Sequence, residues 1–285
     1  MITLETVFLA HIESNLSQLH PAERKVARYI LNHPQETVYL SVAELAERAG
    51  VSTATVIRLS QALGCQGYYH LKMSLMKSLA TTPHTYVDED IDLSDDLHTA
   101  VNKVFEQSIN SLKNASQLLD VEQLQRAVTL LSEADKIAIS GVGTSGIAAQ
   151  DLNYKLIRLG LPTQHYIDSH IQLITCCGLS EQSAVVAISH SGSTHEVVEV
   201  ARLAKEMGAS VIALTHHTRS PLTTYADVIL RTASPETPFT SGKISSIMVQ
   251  MAVIDCICIG VTLVLGERAI QHAEKTAEAV KSTKY

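Results

Sequence analysis

Short apolar runs and longer amphipathic segments alternate through the second half of the chain. The runs are rich in Val, Ile and Ala, which is typical of buried strands, and the segments between them carry apolar residues at helical spacing. Because this alternation requires parallel strands joined by crossovers, we predict a doubly wound α/β domain. The predicted strands are residues 137–140, 163–167, 184–189, 210–215 and 228–231, and the predicted helices are residues 145–159, 169–176, 194–207 and those from about Ile244 onward.

The first 80 residues show helical spacing only. We predict a helix over residues 19–33, a second over residues 42–49 after a capping box of Ser41 and Glu44, and a third from the N-cap Ser52 to about residue 63. Gly50 can take the left-handed conformation that ends the second helix. This pattern predicts a helix-turn-helix, with an ordinary α-hairpin as the alternative. The predicted inward-facing residues are Leu45, Ala46, Ala49, Val51, Val56 and Leu59.

A DNA-binding unit of this kind should present short polar residues and a cation on the outer face of its last helix. The charge of the chain limits such binding to a local surface, because 22 basic and 29 acidic residues give a net charge of −7. Residues 1–80 nevertheless hold seven Lys and Arg against six Asp and Glu. We predict DNA contacts, to bases or to the phosphate backbone, from Ser52, Thr53, Thr55, Arg58, Gln61 and Lys72.

Residues 81–100 contain six acidic residues and no Lys or Arg. This composition is typical of an exposed linker, and DNA phosphates would repel it. We therefore predict an all-α domain over residues 1–80, an acidic linker over residues 81–100, and an α/β domain with lead-in helices over residues 101–285.

The composition fits a globular protein with two cores, since 285 residues with 46% hydrophobic content can form both. The five cysteines lack the spacing of a disulfide framework, and the first residues do not resemble a secretory signal, so we expect a reducing cytoplasm. Cysteine spacing also gives no reason to expect a metal, and the cysteines are predicted to be core residues. The apolar segment Ile244–Leu265 contains an aspartate, and we predict a buried helix there rather than a membrane span.

Two loops rich in glycine and hydroxyl groups follow predicted strands. The first, Gly141-Val-Gly143-Thr144-Ser145-Gly146, resembles half of a dinucleotide fingerprint. Gly146 is one position early for the third glycine, and no acidic residue ends the next strand where a ribose would need it. We therefore expect no nicotinamide or flavin cofactor.

The second loop carries hydroxyls at Ser189, Ser191, Ser193 and Thr194, with Gly192 allowing the backbone to turn. Three or more hydroxyl donors and the free amides at the start of a helix suit a phosphate monoester. The alternative is that these side chains only cap the helix. Because both loops follow parallel strands, they should meet at the carboxyl edge of the sheet.

The two loops together, Gly141-Val-Gly-Thr-Ser145 and Ser189-His-Ser-Gly-Ser-Thr194, resemble the phosphosugar-binding pattern of sugar isomerase (SIS) domains. Residues 43–72, with Val51-Ser-Thr-Ala-Thr-Val-Ile-Arg58 and the run that ends in Lys72, resemble the DNA-binding domain of RpiR-type bacterial regulators. The resemblance covers nearly the whole chain. It implies a helix-turn-helix domain followed by a SIS domain.

By that resemblance, the ligand phosphate and neighbouring hydroxyls would be contacted by Ser145, Ser189, Ser191 and Thr194. The candidate ligand-binding residues in the same two loops also include Gly143, Thr144, Gly192 and Ser193. The resemblance also implies a homodimer, or a dimer of dimers, that binds operator DNA and responds to a sugar phosphate, with amino-sugar phosphates among the candidates. Family members often carry an arginine where Ile247 stands here. Glu236 and Lys243 are therefore the candidates for contacting the sugar.

An enzyme on this scaffold would need a general base beside the sugar. An isomerase, however, does not need the attached helix-turn-helix. We therefore predict a ligand-controlled transcriptional regulator that is not an enzyme, with a SIS-type sugar-phosphate isomerase or lyase as the alternative. The candidate bases near strand ends are His190, His195, Glu196, His216, His217 and Glu236.

Overall fold

A computed structural model describes residues 7–79, 86–88, 91–232 and 244–281 of the chain. Two compact units are present: along the sequence, the first runs to Gln107 and the second begins at Ser108. Each has its own hydrophobic core.

The first unit is helical, as predicted, and its core lies between several short helices. Buried side chains of Ile12, Ile30, Leu45, Leu59 and Leu71 fill this core. The predicted helices are confirmed within two residues at each end, and three further helices were not predicted. The helices are α1 (Val7–Asn15), α2 (Pro21–Asn32), α3 (Pro34–Thr37), α4 (Val42–Arg48), α5 (Thr53–Ala62) and α6 (Tyr68–Leu79).

The acidic stretch contains more structure than a linker composition predicts. Two short antiparallel strands, β1 (Tyr86–Asp88) and β2 (Ile91–Asp92), precede helix α7 (Leu97–Leu118), which begins inside the predicted linker. Aspartates have local roles here. The Asp96 carboxylate accepts a hydrogen bond from the Thr99 amide at 2.7 Å, which caps α7, and Asp95 pairs with Lys103 at 2.7 Å.

The second unit is the predicted doubly wound α/β fold. Its five strands are all parallel, in the order β4-β3-β5-β6-β7. Each end that was predicted by residue number lies within two residues of its predicted position. The elements are α8 (Val121–Glu133), β3 (Ile137–Gly141), α9 (Thr144–Arg158), β4 (Thr163–His165), α10 (Ser169–Cys176), β5 (Ala184–Ile188), α11 (His195–Glu206), β6 (Ser210–Thr215), β7 (Val228–Arg231), α12 (Ile244–Leu265) and α13 (Glu267–Ala279).

Helices cover both faces of the sheet. On one face α8, α9 and α12 pack through buried residues such as Leu131, Leu152 and Ile254. On the other face α10 and α11 pack through residues such as Cys176 and Val200. Strands β3 and β5 are covered on both faces and are fully buried, which explains why nearly all of their residues are apolar.

Helix α12 is long and apolar enough to cross a membrane by length and composition, with a mean hydropathy of 2.3 over its best window. Only 39% of that window is buried, so the predicted buried helix is confirmed for one face alone. Ile254, Ile257 and Val261 face the sheet, whereas Ile259 and Leu263 are exposed. A core helix of a layered α/β domain needs only its inner face covered by its own chain.

The cysteines also divide into buried and exposed residues. Cys65, Cys176 and Cys258 are buried, as predicted, but Cys177 and Cys256 are exposed. The prediction of core positions is therefore wrong for these two. Cys177 is the C-cap of α10, and Cys256 lies on the face of α12 that the described residues leave exposed.

Candidate functional site

The two hydroxyl-rich loops leave the sheet at its topological switch point. Gly141, at the end of β3, is the register partner of Ile188, at the end of β5. From these adjacent strands the chain turns to opposite faces, to α9 after β3 and to α11 after β5. Such a point opens a crevice at the carboxyl ends of the strands, where ligands of open α/β sheets bind.

The first loop brings the backbone close to α9 and leaves its tip open. A side chain at Gly141 would place its Cβ 2.5 Å from the Ser145 carbonyl oxygen, so this position requires glycine. Gly143 has φ +63°, and a Cβ built there meets no atom within 4 Å. Ser145 is buried in the first turn of α9, and Thr144 is exposed. The loop therefore presents backbone and hydroxyl groups to the crevice.

The second loop carries its hydroxyls at different depths. Ser189 is buried, and its Oγ lies 3.0 Å from Thr194 Oγ1. Ser191 and Ser193 are exposed, and the Ser191 Oγ accepts a hydrogen bond from the Ser193 amide at 3.2 Å. The predicted hydroxyls are thus brought together on one short loop.

The segment after β6 fixes the shape of this second loop. The Thr215 Oγ1 donates to the His190 carbonyl at 3.2 Å, and the Leu222 amide donates to the Gly192 carbonyl at 2.9 Å. Gly192 itself has φ +61°, and a Cβ built on it would lie 2.5 Å from Ser220 Cβ. Glycine is therefore required by both conformation and space, and the loop is held by its contacts with the segment after β6.

The helices that start at these loops lack side-chain caps from their N-cap residues. Gly143, the N-cap of α9, has no side chain, and Thr194, the N-cap of α11, makes no side-chain bond to the helix amides. In contrast, Asp168 caps α10 by accepting from the Ile171 amide at 2.9 Å. The first amides of α9 and α11 thus carry partial positive charge toward the crevice, which favours an anion. The reading in which these hydroxyls only cap helices is not supported.

Gln172 braces the β3 end of the site and was not predicted. This side chain from α10 is 3% exposed. Its Oε1 accepts from Ser140 Oγ at 2.5 Å, and its Nε2 donates to the carbonyls of Gly141 at 3.3 Å and Tyr166 at 2.6 Å. It therefore ties the end of β3 to the end of β4. Gln172 lies about 30 residues from its β3 partners, and a glutamine on a helix gives no local pattern that could identify the role.

Histidines gather beside the second loop. The rings of His190 and His216 stack with centroids 5.3 Å apart, and the His217 ring meets that of His216 edge-on at 4.9 Å. His195 and Glu196 are exposed in the first turn of α11. The structure thus brings three of the candidate bases together at the ends of β5 and β6. Glu236 and Lys243, the candidates for contacting the sugar, lie outside the described residues.

In the first unit, α4, the turn at Gly50 and α5 form the predicted helix-turn-helix. The capping box is confirmed: Glu44 accepts from the Ser41 amide at 2.7 Å, and Ser41 Oγ accepts from the Glu44 amide at 3.2 Å. Gly50 has φ +65°, and Ser52 Oγ caps α5 by accepting from the Thr55 amide at 3.3 Å. These caps fix where each helix begins and ends.

The exposed face of α5 contains most of the predicted DNA contacts. Ser52, Thr53, Arg58 and Gln61 are exposed. The prediction that Thr55 faces outward is wrong, because Thr55 is 4% exposed. Its position in the first turn, next to buried Val56, brings it inward, where its Oγ1 accepts from Arg58 Nη2 at 3.1 Å. Thr55 thus positions the arginine rather than presenting its own hydroxyl to solvent.

The ammonium group of Lys72 is less accessible to DNA than that of an exposed lysine. Its Nζ donates to the Leu40 carbonyl at 3.1 Å and lies 5.7 Å from the centre of the Tyr68 ring. Burial lowers the pKa of Lys72 to about 8, against the opposing effect of the nearby Glu44 carboxylate. The contact of Lys72 with DNA stays a prediction. In the structure its ammonium group contacts Leu40 and Tyr68 of the same domain.

Two protein-family models match the chain. A helix-turn-helix domain of the rpiR family matches residues 6–82, and the SIS domain matches residues 130–259. These segments contain the α4–α5 unit and most of the α/β sheet with both loops.

Curated relatives match over nearly their whole length. The HTH-type transcriptional regulator HexR of Pseudomonas aeruginosa is 36% identical over 277 residues, covering 97% of this chain and 96% of that protein. HexR of Escherichia coli is 34% identical over 278 residues, covering 97% and 95%.

A solved structure has the same overall fold. The Vibrio vulnificus NanR protein complexed with ManNAc-6P matches with a TM-score of 0.86 and 28% identity, covering 97% of this chain and 99% of that one. The two family models, the relatives and this structure agree with the architecture described above. The chain therefore belongs to the RpiR family of helix-turn-helix transcriptional regulators, in which the second domain is a SIS domain.

Proposed function

We propose that this regulator binds operator DNA through α5 and binds a phosphorylated sugar across the two loops, and that the sugar changes its affinity for DNA. The observation that carries the proposal is the switch point, where two hydroxyl-rich loops and two helix starts without side-chain caps meet on adjacent strands. This arrangement offers hydrogen-bond donors and positive partial charge to one small anion.

A sugar phosphate fits this site better than a free nucleotide. The loop hydroxyls can bind both phosphate oxygens and sugar hydroxyls, and neither loop carries the lysine of a nucleotide P-loop. The NanR structure contains ManNAc-6P, which makes amino-sugar phosphates a strong starting class for this chain too.

Control of DNA binding then follows from linkage. A ligand that binds one arrangement of the protein more tightly shifts the population toward it, and the DNA affinity changes by the same coupling free energy. Two copies acting on half-sites related by two-fold symmetry would give the operator specificity. A regulator of this kind works in the cytoplasm, where DNA and sugar phosphates meet.

Ligand binding is tested with a thermal-shift panel of inorganic phosphate and hexose, amino-sugar and N-acetylated sugar phosphates, including ManNAc-6P. A specific ligand at 100 times its Kd stabilises the folded state by about 2.7 kcal/mol. The double variant Ser191→Ala with Thr194→Val should lose the shift and retain DNA binding. An unchanged thermal shift in this variant would show that the sugar phosphate binds elsewhere. Turnover of any panel compound would contradict a purely regulatory role.

DNA binding is tested with a duplex selected in vitro by the wild-type protein. Arg58→Ala should weaken binding by about 1–3 kcal/mol, because this exposed guanidinium on α5 would contact a base or a phosphate. Arg202→Ala is the matched control, since it removes one partly exposed arginine from α11, which belongs to the second unit. Equal DNA affinity of wild type and Arg58→Ala would refute the assignment of α5.

A further inference from the structure

The Arg58 side chain is held by two partners, one of which lies outside the helix-turn-helix. Its Nη2 donates to Thr55 Oγ1 at 3.1 Å, and its Nε lies 3.9 Å from Oε1 of Glu23, on α2. The Arg58 side chain is 60% exposed, whereas that of Glu23 is only 15% exposed. The less exposed carboxylate therefore restrains the guanidinium from the protein side.

Glu23 is itself fixed by the start of α2. Its Oε2 accepts from the His20 amide at 3.2 Å, which completes the capping box of this helix. One carboxylate oxygen thus belongs to the cap, and the other faces Arg58. Helix α2 is anchored in the core of the first unit through buried Val26 and Ile30. The position of the carboxylate is therefore set by packed secondary structure.

Thr55 is fixed in a similar way by the start of α5. It is 4% exposed, and its Oγ1 lies 3.0 Å from the Oγ of Ser52, the cap of this helix. Both partners of Arg58 thus belong to capped helix starts. The guanidinium is pre-organised as a result, and less side-chain freedom is lost when it binds another group.

The restrained guanidinium still has donors to offer. A guanidinium carries five N–H groups in a planar fork. Thr55 takes one of those on Nη2, and Glu23 lies beside the one on Nε, so Nη1 keeps both of its donors and Nη2 keeps one. Among the described residues, no other oxygen accepts a hydrogen bond from this side chain. Two parallel N–H groups in a fixed plane match the O6 and N7 acceptors of guanine in the major groove.

The Glu23 carboxylate argues against a contact of Arg58 with phosphate alone. Phosphate contacts depend on positive charge, and a carboxylate 3.9 Å from the guanidinium offsets that charge and repels the DNA backbone. Stability does not explain the pair either, because ion pairs with an exposed partner contribute little to it. A base contact, in contrast, requires a fixed orientation, which the carboxylate provides.

We propose that Glu23 is a positioning residue, which together with Thr55 orients Arg58 for a bidentate contact with a guanine in each operator half-site. The inference rests on the proposed function, because α5 must lie against DNA. It goes further in two respects: the arginine is assigned to a base, and a residue of α2 takes part in determining which DNA sequence is bound.

The test compares DNA duplexes that differ at one ring position. In the duplex selected in vitro by the wild-type protein, each guanine is replaced in turn by 7-deazaguanine, which lacks the N7 acceptor and keeps its base pair. At one guanine in each half-site, the replacement should weaken binding by the wild type about 10-fold or more, because a charged donor loses its acceptor. Arg58→Ala should bind the native and the replaced duplex equally.

Glu23→Gln then tests the positioning role. Glutamine can still accept from the His20 amide, because either residue completes a capping box, so the variant removes the charge and retains the cap. Its preference for guanine over 7-deazaguanine should fall at least about threefold, because the guanidinium is no longer held for both acceptors. Its affinity for a duplex of unrelated sequence should equal or exceed that of the wild type, since a negative charge near the phosphates is gone. A damaged fold would lower both affinities together.

Two further positions complete the comparison. Glu36→Gln is the matched control, because it removes the same charge from the first unit, where Glu36 pairs with Arg48. It should keep the wild-type preference. Thr55→Val should lose much of the preference and Thr55→Ser should retain it, because only serine keeps the hydroxyl that accepts from Arg58.

The outcomes separate this inference from the proposed function. A Glu23→Gln protein that prefers guanine as strongly as the wild type does would overturn the positioning role. If Arg58→Ala weakens binding to every duplex alike and no 7-deazaguanine affects the wild type, Arg58 contacts phosphate, so the inference fails and the proposed function stands. Equal affinity of the wild type and Arg58→Ala for operator DNA would refute the assignment of α5, and the inference with it.

Discussion

Replacing Gly192 by alanine should disable the second loop for two separable reasons. Alanine in a left-handed conformation, with φ near +61°, costs about 1–2 kcal/mol. The new methyl group would also lie 2.5 Å from Ser220 Cβ and 3.1 Å from Thr215 Oγ1, and such overpacking costs about 1–3 kcal/mol more. The free energy of unfolding should therefore fall by about 2–5 kcal/mol unless the loop moves, and in either case phosphate binding should be weakened.

The assay combines chemical denaturation with calorimetric titration of inorganic phosphate and ManNAc-6P. Gly266→Ala is the matched control in the same unit: Gly266 has φ +57°, but a Cβ there meets nothing within 4 Å. The Gly266→Ala control should lose only the stability that the left-handed conformation costs an alanine, and it should bind ligands as the wild type does. Gly192→Ala should lose more stability and most of the binding.

A double variant tests the steric half of the argument. Gly192→Ala with Ser220→Gly removes the Ser220 atoms, which lie nearest to the new methyl group, so it should recover about 1–3 kcal/mol relative to the sum of the single changes. The destabilisation that comes from an alanine in the left-handed conformation should remain in this double variant. Additive effects of the two substitutions, or full ligand binding by Gly192→Ala, would refute the claim that Ser220 confines this loop.

Three further outcomes follow from the described contacts. Because the folded pKa of Lys72 is about 8 and its ordinary value is 10.5, the unfolded chain binds more protons between those pH values, so stability of the first unit should rise with pH across that window. Denaturation curves of Lys72→Met should lack this rise. Gln172→Leu leaves the Gly141 and Tyr166 carbonyls without this donor, and calorimetry should show weaker phosphate binding together with about 2–4 kcal/mol lower stability. Ser52→Ala removes the cap of α5 and should cost about 1 kcal/mol by denaturation, whereas Ser17→Ala, at an exposed position, should cost little.

Local patterns were sufficient for most of the fold. Strands β5 and β6 contain continuous apolar runs because helices cover both faces of the sheet. The capping residues Ser41 and Ser52 give the starts of α4 and α5. The β1–β2 pair was missed because an acidic sequence carries no strand periodicity. Helix α6 was missed because its apolar face is interrupted by polar residues. Leu71 and Leu75 are its buried residues, and Tyr68, Met76 and Leu79 pack partly buried against the same core.

The candidate site was predictable where hydroxyl side chains directly follow strands that lie side by side in the sheet. Hydroxyls at Ser189 and Thr194 follow a buried strand, so their position at the same edge of the sheet as the first loop follows from the order of the strands. Long-range contacts could not be read in this way. The bonds of Gln172 and the confinement of Gly192 by Ser220 join segments about 30 residues apart, and no local spacing encodes them.

The switch point also has a mechanical consequence. Helices α9 and α11 belong to different layers, and the sheet lies between their cores. A phosphate held by both loops would be a second connection between the layers, so fixing one helix start would also restrain the other. Hydrogen exchange at the first turns of α9 and α11 should therefore slow together as the ligand binds, and the ligand would act as a clasp between two faces of the domain.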